Sequence, residues 1–174
     1  MKRAVRGSIA VPVVLIGLLW AAPAGAQRPH LPYIPGPNPT VLEGYCEGFT
    51  AVVTFTELNQ YIIRETTDPV TGALTLKITG HAQATVTNES TGESVTYNIS
   101  GPGTVVINPD GSFSVDAAGP NLLWTLPELS FPGVPSISYT TGRVTFSVDA
   151  EGNTTSYALA GGARQTDVCA VLSS

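Results

Sequence analysis

The sequence predicts an all-β protein, built as an up-and-down (meander) β-barrel of about eight to ten antiparallel strands. Two observations lead to this fold class. From Cys46 onward, apolar and polar residues alternate with the period of a β-strand, and no stretch shows helical periodicity. Short turn sequences join consecutive alternating segments, which indicates hairpins between neighbours in sequence. The alternative is a two-sheet β-sandwich, which requires connections that cross between sheets.

Two long segments show the alternation best. Apolar residues occupy the even positions of residues 73–87 and the odd positions of residues 94–108. The phase continues across Gly80 in the first segment and across Gly101 in the second, so each segment is expected to be one strand bent at its glycine. Glycine bends that meet across neighbouring strands curl a sheet sharply, as a small barrel requires.

The turns between the segments set a register. Residues 88–93 are expected to close one hairpin, and Asn108–Gly111 a second one, as a type I turn followed by a left-handed glycine. Both hairpins then keep their apolar residues on one face. The predicted cross-strand pairs are Val86–Val95, Ala84–Tyr97, Ala82–Ile99, Gly80–Gly101 and Ile78–Gly103 in the first hairpin, and Ile107–Phe113 and Val105–Val115 in the second.

The N-terminus has the pattern of an export signal. Three basic residues precede the apolar run Ile9–Ala22, and Ala24–Ala26 supplies the small residues that a signal peptidase recognises. Residues 1–26 are therefore expected to be a cleaved signal peptide, and the mature protein to be secreted and extracellular. No stable membrane span is expected after cleavage, because the apolar run is short and contains Pro12.

The mature chain divides into two parts. Residues 27–45 form a proline-rich arm with the spacing of a polyproline II helix, and residues 46–174 form the single β-barrel domain. Five basic residues remain against thirteen acidic ones, a net charge of −8. A nucleic acid or an anionic membrane is not expected as a partner at this charge.

The two cysteines, Cys46 and Cys169, are predicted to form a disulfide. Export delivers the chain to an oxidising compartment, and two thiols without nearby histidines make a poor metal site. Cys46 opens the first predicted strand and Cys169 lies in the last one, so the bond is expected to join the first and last strands of a closed meander.

Familiar catalytic patterns are missing from the sequence. It contains no Gly-x-Ser-x-Gly elbow, no phosphate-binding glycine loop and no His-Glu-x-x-His zinc pattern. The mature chain has two histidines: His30 lies in the arm, and His81 falls on the outer face of its strand. The oxygen-rich segments at 108–112 and 149–153 lack the glycine and the closing acid of a calcium loop and are predicted to be hairpin turns. We therefore expect no metal and no cofactor, and an enzyme is the less favoured class.

The candidate ligand-binding residues are Glu57, Asn59, Tyr97 and Trp124. The odd positions of the first strand are apolar up to Phe55, and the same phase continues through Glu57 and Asn59. On an unbroken strand both would point into an apolar interior and mark a ligand pocket. The alternative is a turn or bulge that leaves both in water. Further interior aromatics are expected at Phe55, Phe113 and Phe146.

Four stretches of the chain carry a resemblance: VTFTELNQYIIRETTDPVTG, ITGHAQATVTN, SGPGTVVINPDGSFSVDAAGPNLLW and ARQTDVC. Over about residues 45–172 the chain resembles a group of small exported actinobacterial β-rich proteins that are known mainly as predicted sequences. This group has no assigned activity, so the resemblance implies a compartment and a fold, and no functional residue.

The leading functional hypothesis is a non-catalytic extracellular barrel that binds a small, largely apolar ligand in its interior. It requires a cavity of roughly 300 Å³ or more. The second hypothesis is a structural or adhesive surface module, which requires an exposed apolar patch for a protein partner that the sequence does not identify. The third is a barrel-type cyclase or isomerase, which requires Glu57 or another acid inside a pocket.

Overall fold

The structure is a computed structural model that describes residues 31–33 and 36–174. The predicted signal peptide and the start of the proline-rich arm lie outside the described residues. The described chain is all-β with antiparallel sheets, and it has a short 3₁₀ helix at Pro127–Leu129 and a C-terminal helix α1 at Val168–Leu172. The strands are β1 Leu31–Pro32, β2 Thr40–Cys46, β3 Phe49–Thr67, β4 Leu74–Asn88, β5 Ser94–Asn98, β6 Gly103–Ile107, β7 Phe113–Ala118, β8 Asn121–Trp124, β9 Ile137–Thr141, β10 Arg143–Val148, β11 Thr154–Leu159 and β12 Arg164–Asp167.

The strands form two sheets. The large sheet has the order β1-β3-β4-β6-β7-β10-β11, with β2 added to β3 and β5 added to β4, and the small sheet has the order β12-β9-β8. After β7 the chain leaves the large sheet, forms β8 and β9, and returns as β10 beside β7. The simple meander that the sequence predicted is therefore interrupted. The all-β antiparallel class is confirmed, while strand pairing among the described residues does not close into a ring.

The predicted register is confirmed for three of the five pairs of the first hairpin, whereas the Ala82–Ile99 and Gly80–Gly101 pairs are not part of the strand ladders. Val86 pairs with Val95 and Ala84 with Tyr97 on β5, and Ile78 pairs with Gly103 on β6. The second hairpin has its predicted pairs as well, because Ile107 lies opposite Phe113 and Val105 opposite Val115. The segments at 108–112 and 149–153 are hairpin turns, as predicted.

One of the two long strands is divided. β4 runs unbroken through Gly80, whereas residues 94–108 form β5 and β6, separated by residues 99–102. The prediction of a single bent strand there was wrong, since Pro102 has no N–H to offer the ladder. At Gly101 a Cβ would lie 2.2 Å from the Ala118 carbonyl oxygen, so only glycine permits this close approach of two chain segments.

The disulfide between Cys46 and Cys169 is present, with 5.4 Å between the two Cα atoms. Its position corrects the prediction that it joins the first and last strands, because Cys46 ends β2 and Cys169 lies in α1. Asp167 explains the helix, since its carboxylate accepts a hydrogen bond from the Ala170 N–H as an N-cap. The folded domain also starts earlier than residue 46, because β2 pairs with β3.

The apolar core lies at the disulfide end of the molecule. It fills the space between β2 to β5 of the large sheet, the strands β8 and β9 of the small sheet, and α1. Its buried members are Leu42, Cys46, Ala51, Val53, Phe55, Ala82, Ala84, Val86, Tyr97, Ile99, Leu122, Ile137, Val168 and Leu172.

Candidate ligand-binding site

A bulge in β3 decides which of its side chains enter the interior. Up to Phe55 the odd-numbered residues are buried, and then the pairing with β4 shifts between Thr56 and Asn59. Glu57 occupies the bulge with a φ of 50°, a left-handed conformation that few non-glycine residues adopt. A bulge of this kind reverses the faces of the strand. Gln60 consequently points inward and is 8% exposed.

The predicted site residues Glu57 and Asn59 therefore lie on the outside. Both are exposed, so the bulge that the sequence offered as an alternative is the arrangement that the protein adopts. The physical reason is the cost of an unpaired carboxylate in an apolar interior, which the chain avoids by turning Glu57 toward water. Neither residue lines an interior cavity.

The open part of the interior is a cavity of about 270 Å³. It lies on the inner face of β6, β7 and β10, and β8 covers part of it. Apolar side chains and two glycines make up most of its wall, and none of the residues that the structure describes brings a charged side chain to it. The lining residues are Tyr33, Gln60, Ile78, Ile99, Gly101, Gly103, Val105, Phe113, Val115, Ala117, Asn121, Leu122, Leu123 and Phe146.

Three polar side chains reach this apolar wall. The Gln60 amide donates through Nε2 to the Ile99 carbonyl oxygen at 3.0 Å. Asn121 donates through Nδ2 to the Gly119 carbonyl oxygen at 3.1 Å. Burial raises the pKa of the Tyr33 hydroxyl, so this group stays neutral and keeps its proton. The site therefore offers a few neutral polar groups on an apolar surface, as pockets for small ligands commonly do.

Tyr97 and Trp124 do not share the cavity. Tyr97 stacks on Tyr139 with 4.3 Å between ring centroids and is buried in the core, where desolvation raises its pKa. Trp124 lines a smaller pocket of about 80 Å³ beside Tyr157. This pocket and the cavity have Leu123 and Phe146 in common.

Two of the other predicted aromatics do line the cavity. Phe113 of β7 and Phe146 of β10 meet edge to face with 6.3 Å between ring centroids. Phe55 belongs to the core, where its ring centroid lies 6.3 Å from that of Trp124. The strand pairing explains this division. Phe113 on β7 and Phe146 on β10 lie on the β6 side of the interruption at residues 99–102.

Glu57, His81 and Ser100 form a polar row on the outer surface. His81 Nε2 lies 2.9 Å from Glu57 Oε2, and His81 Nδ1 lies 2.6 Å from Ser100 Oγ. The row resembles a serine–histidine–acid arrangement, yet Glu57 and His81 are exposed and none of the three residues lines the cavity. Ser100 Oγ also accepts the Ala82 N–H at 3.2 Å, where β5 has ended. We interpret the row as structural hydrogen bonds that connect β3 and β4 to the segment after β5.

Sequence reasoning missed Gln60 and Tyr33. The signal for Gln60 was present, since the odd apolar phase of β3 fails at Glu57, and a bulge there turns Gln60 inward. Tyr33 had no such signal, because it lies in the proline-rich arm and reaches the cavity through pairing of β1 with β3. The Tyr33 N–H donates to the Gln60 carbonyl oxygen at 2.8 Å, which sets the two residues side by side.

Comparison of the chain with models of protein families, with characterised proteins and with solved structures gives no match. Within residues 31–33 and 36–174, no three His, Cys, Asp or Glu residues are grouped so that they could hold a metal ion. Over the same residues, no helix is long and apolar enough to cross a membrane.

Proposed function

We propose that the protein binds a small, largely apolar ligand in the cavity between β6, β7, β10 and β8, as an exported and non-catalytic binding protein. The observation that carries the proposal is a cavity of about 270 Å³ whose described lining residues are uncharged and mostly apolar. This volume lies just below the usual range for ligand sites, about 300–1,000 Å³. A molecule with a short hydrocarbon body suits that size.

An incompletely closed β-barrel is the architecture that we propose for this role. The packing of β8 and β9 of the small sheet over part of the inner face of the large sheet supports it. The disulfide fits secretion, and the resemblance to exported actinobacterial β-rich proteins points to the same compartment. The barrel architecture, secretion and the relationship to these exported proteins are all parts of this proposal.

Gly103 offers a way to fill the cavity without straining the fold. A Cβ built there meets Ala117 Cβ at 3.8 Å and the Asp116 carbonyl oxygen at 3.9 Å, which are ordinary contacts. The Gly103→Val variant should therefore fold while its side chain occupies the space of the ligand. A matched control is Thr104→Val, which puts the same side chain on the neighbouring position of β6, facing away from the cavity.

Fluorescence titration with the neutral apolar dye N-phenylnaphthylamine tests the proposal. The mature wild-type protein and Thr104→Val should bind the dye saturably with one site, and Gly103→Val should lose at least about tenfold in affinity. Failure of the wild type to bind the dye or any small apolar compound would refute the function. Unchanged binding by Gly103→Val would show that the ligand occupies another surface.

The two other functional hypotheses have less support. The large exposed apolar side chains among the described residues lie on three strands, one turn and one helix, and three of them, Leu31, Tyr61 and Ile63, come together where β1 pairs with β3. The full set is Leu31, Val41, Tyr61, Ile63, Val70 and Val171. The adhesive hypothesis therefore has only a small apolar patch at that edge. The barrel-type enzyme required an acid inside a pocket, and no acidic side chain of the described chain lines the cavity.

A further inference from the structure

We infer that the ligand is a neutral alcohol, whose hydroxyl donates a hydrogen bond to Gln60 Oε1 while its hydrocarbon body lies along β6 and β7. The inference rests on the proposed function and specifies the chemistry of the ligand. The Gln60 side chain lines the cavity, and only its Nε2 is hydrogen-bonded to the described residues.

Gln60 is 8% exposed and lines the cavity. Its Nε2 donates to the Ile99 carbonyl oxygen at 3.0 Å, and this bond fixes which end of the amide faces the protein. Its Oε1 accepts no hydrogen bond from the described residues. The fully buried side-chain atoms without a partner among the described residues do not include this oxygen, so the gain comes on binding. A ligand that replaces water beside Oε1 must itself donate a hydrogen bond, because an acceptor left unpaired costs about 1–3 kcal/mol.

The lack of charge on the described cavity wall limits which chemical group of the ligand can be the hydrogen-bond donor. No lysine, arginine or histidine of the described residues lines the cavity, so a carboxylate or phosphate would be desolvated without a counter-charge from them. The described part of the wall contains no aspartate or glutamate, which disfavours an ammonium group for the same reason. A hydroxyl is the neutral group that donates one hydrogen bond and accepts others.

Tyr33 supplies a matching donor. The backbone bond from the Tyr33 N–H to the Gln60 carbonyl oxygen makes the two residues cross-strand neighbours, with side chains on one face. Because burial raises the pKa of Tyr33, its hydroxyl stays protonated and can donate to the oxygen of the bound alcohol. Gln60 and Tyr33 thus offer one acceptor and one donor, which an ether or a hydrocarbon cannot use fully.

Displacement of bound N-phenylnaphthylamine by three compounds of similar size tests the inference. Octanol should displace the dye at a concentration about tenfold lower than heptyl methyl ether, its isomer without the O–H, and octanoate should be the weakest. Equal or better displacement by the ether would overturn the inference and leave the apolar binding function standing. Absence of dye binding would instead remove the proposed function itself.

A variant pair assigns the preference to Gln60. Gln60→Leu should bring octanol to the level of the ether, whereas Gln83→Leu, on the outer face of β4 beside Glu57, should keep the difference. A Gln60→Leu protein that folds and still prefers octanol about tenfold would contradict the assignment. If that variant does not fold, the comparison of octanol with its ether in the wild type decides the matter.

Discussion

The large sheet has two halves whose inner faces are both apolar. Other elements of the chain cover these two faces to different extents. In the packed half, formed by β2, β5 and the parts of β3 and β4 beside them, Ala82, Ala84 and Val86 are fully buried. In the open half, formed by β6, β7, β10 and β11, inner residues such as Val105 and Phe146 are only half-buried. Alternation thus predicts which side chains face inward, and other elements decide whether that face is filled.

The covering elements explain the difference. Over the packed half lie β9 and α1, which bring Ile137, Val168 and Leu172 into the core, and the disulfide holds α1 to the end of β2. Over the open half lie Leu122 and Leu123 of β8, which leave the cavity between them and β6. Stability should accordingly be concentrated in the packed half and binding in the open half.

The largest effect is expected from removing the disulfide. Replacing Cys46 and Cys169 together with alanine frees a link between residues 123 positions apart in sequence. The chain-entropy model gives a loss of about 4–5 kcal/mol in the free energy of unfolding. Urea denaturation measures it, with the reduced wild-type protein as the matched comparison. A loss below about 1 kcal/mol would mean that α1 holds its place without the bond.

One isoleucine from each half gives the next comparison. Ile137 of the packed half has no exposed surface, so Ile137→Ala should lower the free energy of unfolding by about 2–5 kcal/mol. Ile107 of the open half is half-buried, so Ile107→Ala should cost about 1 kcal/mol. Urea denaturation of both variants measures the two costs. Equal losses in the free energy of unfolding would show that the two halves do not differ in packing.

Two glycines at the boundary of the halves should respond in opposite directions. Gly101→Ala puts a Cβ 2.2 Å from the Ala118 carbonyl oxygen, so the segment must shift and stability should fall by more than about 1 kcal/mol. Gly103→Ala meets no close contact and restricts the unfolded chain, so stability should rise by about 0.4–1 kcal/mol. Thermal unfolding compares the two, and a stabilised Gly101→Ala would contradict the close approach.

The smallest effect concerns acid stability of the open half. Hydrogen bonds from the Arg143 side chain hold the pKa of Asp116 below its usual range, across β10 and β7. A lowered folded pKa gives stability that is present above the unfolded value of about 3.9 and is lost as the pH falls through the folded value. Asp116→Asn should therefore make the decline of stability below about pH 4 shallower.

Arg143→Gln is the matched variant for this effect. It removes the hydrogen bonds that lower the pKa of Asp116, so it should flatten the acid decline to a similar extent. Unfolding temperatures measured across the acid range compare both variants with the wild type. An unchanged decline in both would show that this exposed pair contributes nothing to acid stability.

Much of the fold follows from local patterns. The paired strands around β4, β6 and β7 were predictable to the residue, because alternation and turn chemistry act together there. The partners Cys46 and Cys169 followed from the presence of only two cysteines in a chain whose N-terminal pattern predicts export. The small sheet was not predictable, since nothing local indicates that β10, and not β8, pairs with β7.

The candidate site was less predictable than the fold. A single bulge at Glu57 reverses the phase of β3, which removes Glu57 and Asn59 from the interior and brings in Gln60. Whether a strand absorbs such an irregularity depends on its partners and not on its own sequence. Helix α1 was missed for a related reason, because five residues are too few to show a helical period and its packing against the core stabilises it.

The open half holds a cavity, whereas the interior of the packed half is filled by side chains. Crystals of the wild-type protein and of Gly103→Val, both exposed to xenon gas, test this difference directly, since xenon occupies apolar cavities. We expect xenon beside Gly103 and Val105 in the wild type, none there in Gly103→Val, and none around Ala84 in either protein. Xenon within the packed half, or no xenon beside Gly103 in the wild type, would show that the two halves do not differ in this way.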